Sequence, residues 1–177
     1  GQFGESLPDG PLHITINYGR QIPFFESWDH GTFSYNEWRF APSQGNWVID
    51  PDEGIPSPSA NFRWQPPQVN YSFALESPPF NGLAFGCAAI WLDFDLKLSD
   101  HNTTGTEKMI VEAYYNNEWH KKAEIKNMGS LPWTNYHIDI SPARGKGFRV
   151  RFRAEGQNSS EILNWFIDNI YIYPVCY

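Results

Sequence analysis

Apolar and polar residues alternate with a period of two at many places along this 177-residue chain, and this alternation constrains its fold more than any other feature. Residues 92–98 place Leu and Phe on one face and charged side chains on the other, as in a half-buried antiparallel strand. Residues 148–154 alternate in the same way, with Arg149, Arg151 and Arg153 on the outer face. Both segments are predicted strands, because successive side chains of a strand point to opposite faces.

Similar patterns separated by turn residues predict about eight to ten strands in all. The additional strands are expected at residues 12–16, 24–28, 71–76, 108–115, 119–125, 136–140 and 164–173. Asn116 and Asn117 separate two of them, and Asn tolerates the left-handed conformation that a tight hairpin needs. No segment shows a convincing 3.6-residue helical period. The predicted fold class is therefore all-β, a jelly-roll sandwich of two antiparallel sheets.

The length and the 41% hydrophobic content fit one domain, which we expect to span residues 12–174. Residues 1–11 are predicted to be a leader or linker, and residues 175–177 the start of a linker to a following module. Residues 35–68 are rich in Pro, Gly, Ser, Asn and Trp and are predicted to form one long irregular loop segment. Such segments are usually functional or cover the edge of a sheet.

The predicted last strand, residues 164–173, is apolar on both faces and is therefore expected to be central. A strict two-residue period puts Phe166, Asp168, Ile170 and Ile172 on one face, and the remaining large side chains, including Tyr171, on the other. Asp168 is then buried among apolar neighbours. An ionised carboxylate there is costly unless a cation or several hydrogen-bond donors meet it.

The composition disfavours nucleic acid and an anionic membrane surface as partners. Lys and Arg number 13 against 20 Asp and Glu, so the net charge is −7 and no basic field is available to bind phosphate. No apolar run is long enough to cross a membrane. The 8 Trp, 9 Tyr and 13 Phe exceed what core filling needs, which indicates that some rings lie at the surface, where they commonly bind sugars or peptides.

Two cysteines, Cys87 and Cys176, are too few for a disulfide scaffold and lack the spacing of metal ligands. They could bridge a middle strand to the C-terminal end or remain free, and the sequence favours neither state.

The order of several short motifs resembles a known family. The motifs are Phe25-Glu26-Ser27, Gly45-Asn46-Trp47, the run at residues 71–78, Arg151-Phe152-Arg153-Ala154 and the closing residues 165–170. Together they resemble the adhesin-type jelly rolls of Bacteroidetes surface and secreted proteins, including the cleaved-adhesin domains of gingipains and the choice-of-anchor modules. The sequence is similar, more distantly, to MAM domains and calcium-containing carbohydrate-binding modules.

This resemblance implies a structural calcium ion near the first and last strands, with Glu26 as the early ligand and Asp168 as the late one. Calcium is favoured over zinc because the implied ligands are hard oxygens. The chain departs from the gingipain pattern because it lacks the Asp- and Gly-rich loop after the first strand and offers only Trp28-Asp29-His30-Gly31. The resemblance also implies fibronectin-like neighbouring modules in the same chain.

Candidate ligand-binding residues come from the long loop segment. Trp47 and Trp64 are expected at a ligand surface together with Asp50 and Gln65, because sugar sites combine aromatic faces with polar groups. The three arginines of residues 148–154 could form an anion-binding face or could pair across strands with Asp93, Asp95 or Glu112.

The function expected from these features is a noncatalytic adhesion or glycan-binding module of a larger bacterial surface or secreted protein. Its partner would be a glycan or a host or matrix protein, its location extracellular or at the cell surface, and any signal peptide would lie outside this sequence. The alternative is a glycoside hydrolase that uses the acidic cluster Asp50, Asp52 and Glu53, since paired carboxylates perform that chemistry. No motif of a nucleophile or a metalloenzyme supports catalysis.

Overall fold

The computed structural model describes residues 19–83 and 86–176. The predicted leader at residues 1–11 and the predicted strand at residues 12–16 lie outside the described residues. Twelve strands are formed in the described part: β1 (Phe24–Glu26), β2 (Arg39–Ala41), β3 (Trp47–Asp50), β4 (Ser59–Arg63), β5 (Val69–Glu76), β6 (Phe80–Asn81), β7 (Cys87–Asp100), β8 (Lys108–Tyr115), β9 (Glu118–Lys126), β10 (Leu131–Asp139), β11 (Gly147–Asn158) and β12 (Ile162–Cys176). Two short 3-10 helices, Ser141–Ala143 and Ser159–Glu161, complete the secondary structure there.

The strands form two antiparallel six-stranded sheets, which confirms the predicted fold class. The first sheet has the order β10-β7-β12-β4-β3, with β1 also paired to β12. The second has the order β2-β5-β11-β8-β9, with β6 also paired to β11. No helix of the described residues is long and apolar enough to cross a membrane.

The core lies between the two sheets and is filled by the apolar faces that the alternation predicts. In β7 the inward residues Leu92, Phe94, Leu96 and Leu98 are buried. In β11 every second residue from Phe148 to Ala154 is buried in the same way. The charged residues of both strands consequently point outward, away from the core. Any site built on a sheet of this protein must therefore use the outer face of one sheet.

The predicted irregular segment at residues 35–68 is more ordered than its composition indicates. It contributes β2 to the second sheet and the hairpin of β3 and β4 to the first. Trp47 in β3 is 3% exposed and its ring packs on Phe62 at a centroid distance of 5.4 Å. Burial of large rings therefore holds this Pro-rich segment on the core.

The predicted central position of the last strand is confirmed, and its predicted faces hold through Asp168, but the predicted phase is wrong beyond that residue. Asp168 pairs with Asp95 of β7 and Tyr171 pairs with Asp93, so three steps on β12 match two steps on β7. This β-bulge includes Asn169, whose φ is 49°. Ile167 and Ile170 both face the core, whereas Asp168 points to the outer face. A strict period of two cannot reveal a bulge, because the inserted residue reverses the alternation.

The C-terminal end of the fold is tied to β7. Cys87 and Cys176 are neighbours across the two strands and form a disulfide, which settles the question that the sequence left open. β12 continues through Cys176, so Val175 and Cys176, which the sequence assigned to a linker, are part of the last strand. The hairpin between β8 and β9 turns at Asn116 and Asn117, both with positive φ as predicted.

Candidate functional site

The outer face of the second sheet carries a network of charged side chains, here called the charged network: Glu76, Glu112, Arg151, Arg153 and Glu155. The strand register explains why these residues meet, because Arg151 of β11 lies between Glu112 of β8 and Glu76 of β5. The network therefore crosses three neighbouring strands. Two of the three arginines, Arg151 and Arg153, thus pair across strands, with Glu112 rather than with Asp93 or Asp95, which lie on the other sheet.

Glu112 is the centre of the charged network. Its Oε2 accepts hydrogen bonds from Nε of Arg151 at 2.5 Å and from Nε of Arg153 at 2.9 Å, and its Oε1 accepts one from Nη2 of Arg153 at 3.1 Å. Arg151 also pairs with Glu76 at 3.4 Å, and Arg153 pairs with Glu155. The side chain of Glu112 is only 8% exposed although it points outward. These contacts fix the charged groups in place.

The electrostatics favour the ionised forms of Glu112 and Arg153. Burial opposes the charged form of Glu112, but the hydrogen bonds from Arg153 and Arg151 outweigh this effect and hold the pKa of Glu112 below its ordinary value. Burial likewise opposes the charge on Arg153, and the hydrogen bond to Glu112 raises the pKa of Arg153 in spite of it. At neutral pH Glu112 and Arg153 therefore present fixed charges, and Glu112 does not supply a proton.

Two rings and a surface pocket lie at one end of the charged network. Tyr114 and Trp119 face each other across β8 and β9, with ring centroids 5.2 Å apart. The Arg151 guanidinium lies 4.0 Å from the Trp119 ring centroid, a cation–π contact that links the rings to the network. A surface pocket of about 180 Å³ is lined by Pro79, Tyr114, Gly147, Phe148 and Arg149. This end of the sheet therefore combines aromatic surface, polar groups and a concave space.

The outer face of the first sheet carries a second set of rings, here called the aromatic row: Phe25, Trp91, His137, Tyr171 and Tyr173. His137 stacks on Trp91 with centroids 4.0 Å apart, and Tyr171 stacks on Tyr173 at 4.6 Å. Asp93 lies among them and contacts Nδ1 of His137 and the hydroxyl of Tyr173. Most rings of this row already use one face on a neighbouring ring, although Phe25 remains 53% exposed.

The residues predicted to bind a ligand do not form one site. Trp47 is a core residue whose indole N–H donates to the Phe73 carbonyl, so it anchors its strand and offers no ring face to a ligand. Trp64 is half-buried and Gln65 is exposed. The carboxylate of Asp50 is occupied by Nδ2 of Asn61 and by a backbone N–H of its own loop. Trp64 and Gln65 thus remain available but lack a supporting cluster.

Glu26, the first predicted calcium ligand, is buried and is met by donors. Its Oε1 accepts the backbone N–H of Trp28 at 3.0 Å, and its Oε2 accepts Nδ2 of Asn36 at 2.8 Å and Nε1 of Trp38 at 3.0 Å. Three N–H groups occupy positions from which a cation would otherwise contact the carboxylate oxygens. They satisfy the buried charge without a metal ion.

Asp168, the second predicted calcium ligand, points to the other side of the sheet. Glu26 pairs with Ile170, which the bulge turns to the core, whereas Asp168 precedes the bulge, pairs with Asp95 and lies on the outer face. Its oxygens accept the backbone N–H groups of Ile55 at 2.7 Å and Asn169 at 2.8 Å. Burial raises the pKa of Asp168 to about 6, and the nearby negative charges act in the same direction.

These residues do not fit the predicted calcium ion, because the two carboxylates lie on opposite faces and both already accept hydrogen bonds. Among the described residues no group of three or more His, Cys, Asp or Glu side chains is placed to hold a metal ion. The sequence correctly indicated that each buried carboxylate needs compensation, and donors supply it.

The acidic cluster of the catalytic alternative is likewise engaged in structural contacts. Glu53 pairs with Nζ of Lys97 at 2.8 Å and accepts the indole N–H of Trp133 at 3.1 Å. The hydrogen bond from Lys97 lowers the pKa of Glu53, which is the opposite of what a general acid in glycoside hydrolysis requires. Asp168 has a raised pKa, but it is fully buried beneath the residue 51–58 loop, where no substrate reaches it.

Comparison with known proteins agrees with this fold. No protein-family model and no curated protein sequence matches the chain. Among solved structures, the chain is similar to TmCBM61, a structure in complex with β-1,4-galactotriose, at 17% identity and a TM-score of 0.61, over 84% of this chain and 94% of that one. It is also similar to the K1 cleaved adhesin domain of Lys-gingipain from Porphyromonas gingivalis W83, at 16% identity and a TM-score of 0.61, over 84% and 96% of the two chains.

A third similar structure is the C-terminal family 22 carbohydrate-binding module of Xyn10B from Clostridium thermocellum, at 10% identity and a TM-score of 0.56, over 86% of this chain and 92% of that one. These similarities confirm the predicted resemblance to adhesin-type jelly rolls and carbohydrate-binding modules. At such identities they establish the fold alone.

The ring pair of Tyr114 and Trp119 is not among the ligand-binding residues predicted from the sequence, which all lie in the long loop segment. A signal for this pair was present, because both residues lie beside the predicted Asn116–Asn117 turn, where a two-residue loop brings flanking positions face to face.

Proposed function

We infer that this protein is a noncatalytic glycan-binding module of an extracytoplasmic protein, and that the glycan binds on the outer face of the second sheet. The observation that carries this inference is the placement of Tyr114 and Trp119 beside a surface pocket and a fixed charged network. The similar structures TmCBM61 with galactotriose and the family 22 module support the ligand class.

The chemistry of the face suits a sugar. The apolar faces of sugar rings pack on aromatic side chains, and sugar hydroxyls exchange hydrogen bonds with charged donors and acceptors. Arg151 and Glu112 are held in one arrangement by their mutual contacts, so binding costs little side-chain ordering. A preorganised polar surface of this kind is the condition for specific recognition of a polar ligand.

An extracytoplasmic location is supported by the disulfide between Cys87 and Cys176, because such bonds persist mainly in oxidising compartments. A noncatalytic role is supported by the ionised state of Glu112 and Glu53, neither of which can act as a proton donor at neutral pH.

Affinity gel electrophoresis with β-1,4-galactan, xylan and non-crystalline cellulose tests the proposal. We expect retardation by at least one of these glycans, a loss of at least tenfold in affinity for Trp119→Ala, and no release of reducing ends. The control is Trp91→Ala, which removes a partly buried Trp from the outer face of the other sheet. Binding that survives Trp119→Ala and is lost in Trp91→Ala would move the site to the aromatic row, and glycan hydrolysis would refute the noncatalytic role.

A further inference from the structure

Arg149 differs from the other two arginines of β11. Arg151 and Arg153 each pair with carboxylates of the charged network, Arg151 with Glu112 at 2.5 Å and Arg153 with Glu112 at 2.9 Å. The side chain of Arg149 makes no hydrogen bond or ion pair in the part of the chain that the structure describes. It is partly exposed and lines the surface pocket beside Tyr114. A guanidinium with its donors unused therefore faces a concave space.

The register explains why Arg149 has no partner. Arg149 pairs with Tyr114 of β8, and Tyr114 pairs in turn with Trp119 of β9, so these three residues form one row across the strands. Neither ring can neutralise the guanidinium. The next line along the sheet contains the carboxylates of Glu112 and Glu76, and Arg151 uses both of them. Arg149 therefore lies beside the ring pair and not beside the acids of the charged network.

The surrounding charges leave this face positive although the whole chain carries −7. The outer face of β2, β5, β8 and β11 carries five cationic side chains and three carboxylates. The cations are Arg39, Lys108, Arg149, Arg151 and Arg153, and the carboxylates are those of Glu76, Glu112 and Glu155. A local excess of positive charge in a concave site concentrates anions there. The planar fork of a guanidinium matches a carboxylate or a sulfate with two parallel hydrogen bonds.

We propose that the pocket formed by Tyr114 and Arg149 binds an anionic group on the glycan, either the carboxylate of a uronic acid or a sulfate ester, and so makes the module selective for acidic polysaccharides. This proposal rests on the glycan-binding function inferred above and names its ligand class. The anionic group pairs with Arg149, and the adjoining sugar ring packs on Tyr114 and Trp119. Neutral glycans use the rings alone and bind more weakly.

Isothermal titration calorimetry of the whole chain tests the proposal with pairs of ligands that differ only in charge. The first pair is oligogalacturonate and its methyl ester, and the second is a sulfated galactan oligosaccharide and its desulfated form. We expect at least one acidic ligand to bind tenfold or more tightly than its neutral partner, with the preference decreasing as salt rises. The pair that shows the preference identifies the anionic group.

In Arg149→Ala the preference should disappear, so that each acidic ligand binds no more tightly than its neutral partner. The control is Arg63→Ala, since Arg63 is an exposed arginine at the end of β4 on the first sheet, away from the pocket. Urea unfolding of both variants checks that they remain folded.

The outcomes separate the two proposals. Binding of neutral ligands with no preference for the acidic ones would overturn the acidic selectivity and leave the glycan-binding function in place. A preference that persists in Arg149→Ala would also overturn it, because the anion would then bind elsewhere. Failure of all ligands of the calorimetric and electrophoretic experiments to bind would overturn both.

Discussion

Replacement of Glu26 by Gln tests whether donors alone compensate the buried carboxylate near the first strand. The side chain of Gln has almost the same shape as that of Glu, but one oxygen becomes an NH₂ group. Glu26 accepts three N–H donors, two of them on one oxygen. In the Glu26→Gln variant the amide oxygen can remain toward Asn36 and Trp38, and the NH₂ group then faces the backbone N–H of Trp28.

The expected loss of stability follows from that mismatch. One buried N–H loses its acceptor, which costs about 1–3 kcal/mol, and two further hydrogen bonds lose their charged acceptor. We expect the free energy of unfolding to fall by about 2–3 kcal/mol, which corresponds to a decrease of roughly 4–12 °C in Tm for a domain of this size. Glu26→Ala, which leaves three donors unpaired, should cost more than Glu26→Gln.

The measurement is urea unfolding at neutral pH followed by tryptophan fluorescence, in calcium and in excess chelator. Glu37→Gln is the matched control, because Glu37 is exposed and forms only a surface ion pair with Arg20 at 2.9 Å. Such pairs contribute about 0–1 kcal/mol, so the control should retain nearly the full stability.

Calcium distinguishes this explanation from the metal site that the sequence predicts. If donors satisfy Glu26, calcium leaves the unfolding midpoint of the wild type unchanged and the loss in Glu26→Gln is the same in calcium and chelator. An ion that binds only the folded state would instead stabilise it by about 2.7 kcal/mol at a hundred times Kd. Stabilisation of the wild type by calcium that disappears in Glu26→Gln would refute the reasoning.

Three further changes have defined outcomes. The double variant Cys87→Ser with Cys176→Ser opens a loop of 89 residues and should lose about 4 kcal/mol in urea unfolding; an unchanged midpoint would contradict this. Gly156→Ala should lose more than about 2 kcal/mol in the same assay, because its Cβ would collide with the buried Glu107 carboxylate, and wild-type stability would show that the carboxylate can move. The folded pKa of Asp168 is raised to about 6 from 3.8, so the stability that its protonated form contributes is fully present below pH 3.8 and is lost as pH rises through 6. From pH 4 to 7 the free energy of unfolding of the wild type should therefore fall by about 2 kcal/mol relative to that of Asp168→Asn in urea unfolding. A difference between the two proteins that stays constant over this pH range would count against the shift.

Alternation predicted the sheets well because it reports one physical fact, the burial of every second side chain. β7 and β11 follow it without interruption, and both are longer than predicted because their ends, such as Asp100 and Asn158, are polar and carry no burial signal. The bulge at Asn169 left no such signal. A bulge is chosen by long-range pairing with β7, and here it reversed the predicted faces of β12.

The candidate site was harder to predict because it depends on which strands are neighbours. The sequence indicated that arginines of β11 would meet carboxylates, but only the strand order selects Glu112 and Glu76 over Asp93 and Asp95. The same register that pairs Arg151 leaves Arg149 opposite Tyr114. Composition and spacing cannot supply this information, since β5, β8 and β11 come from distant parts of the chain.

The charged network itself is evidence that the face has a role beyond stability. Desolvation of charged groups offsets much of the attraction in a poorly exposed ion pair, and apolar residues of similar size often stabilise a fold as well. The side chain of Glu112 is nevertheless only 8% exposed, because Arg151 and Arg153 cover it on the outer face of the sheet. Its charge does not contribute to the packing of the core, which lies on the other face. What the network does provide is a rigid pattern of donors and acceptors next to Trp119 and the pocket. A rigid polar pattern beside aromatic rings is useful to a site that must recognise a hydroxyl-rich ligand, because it reduces the ordering that binding requires.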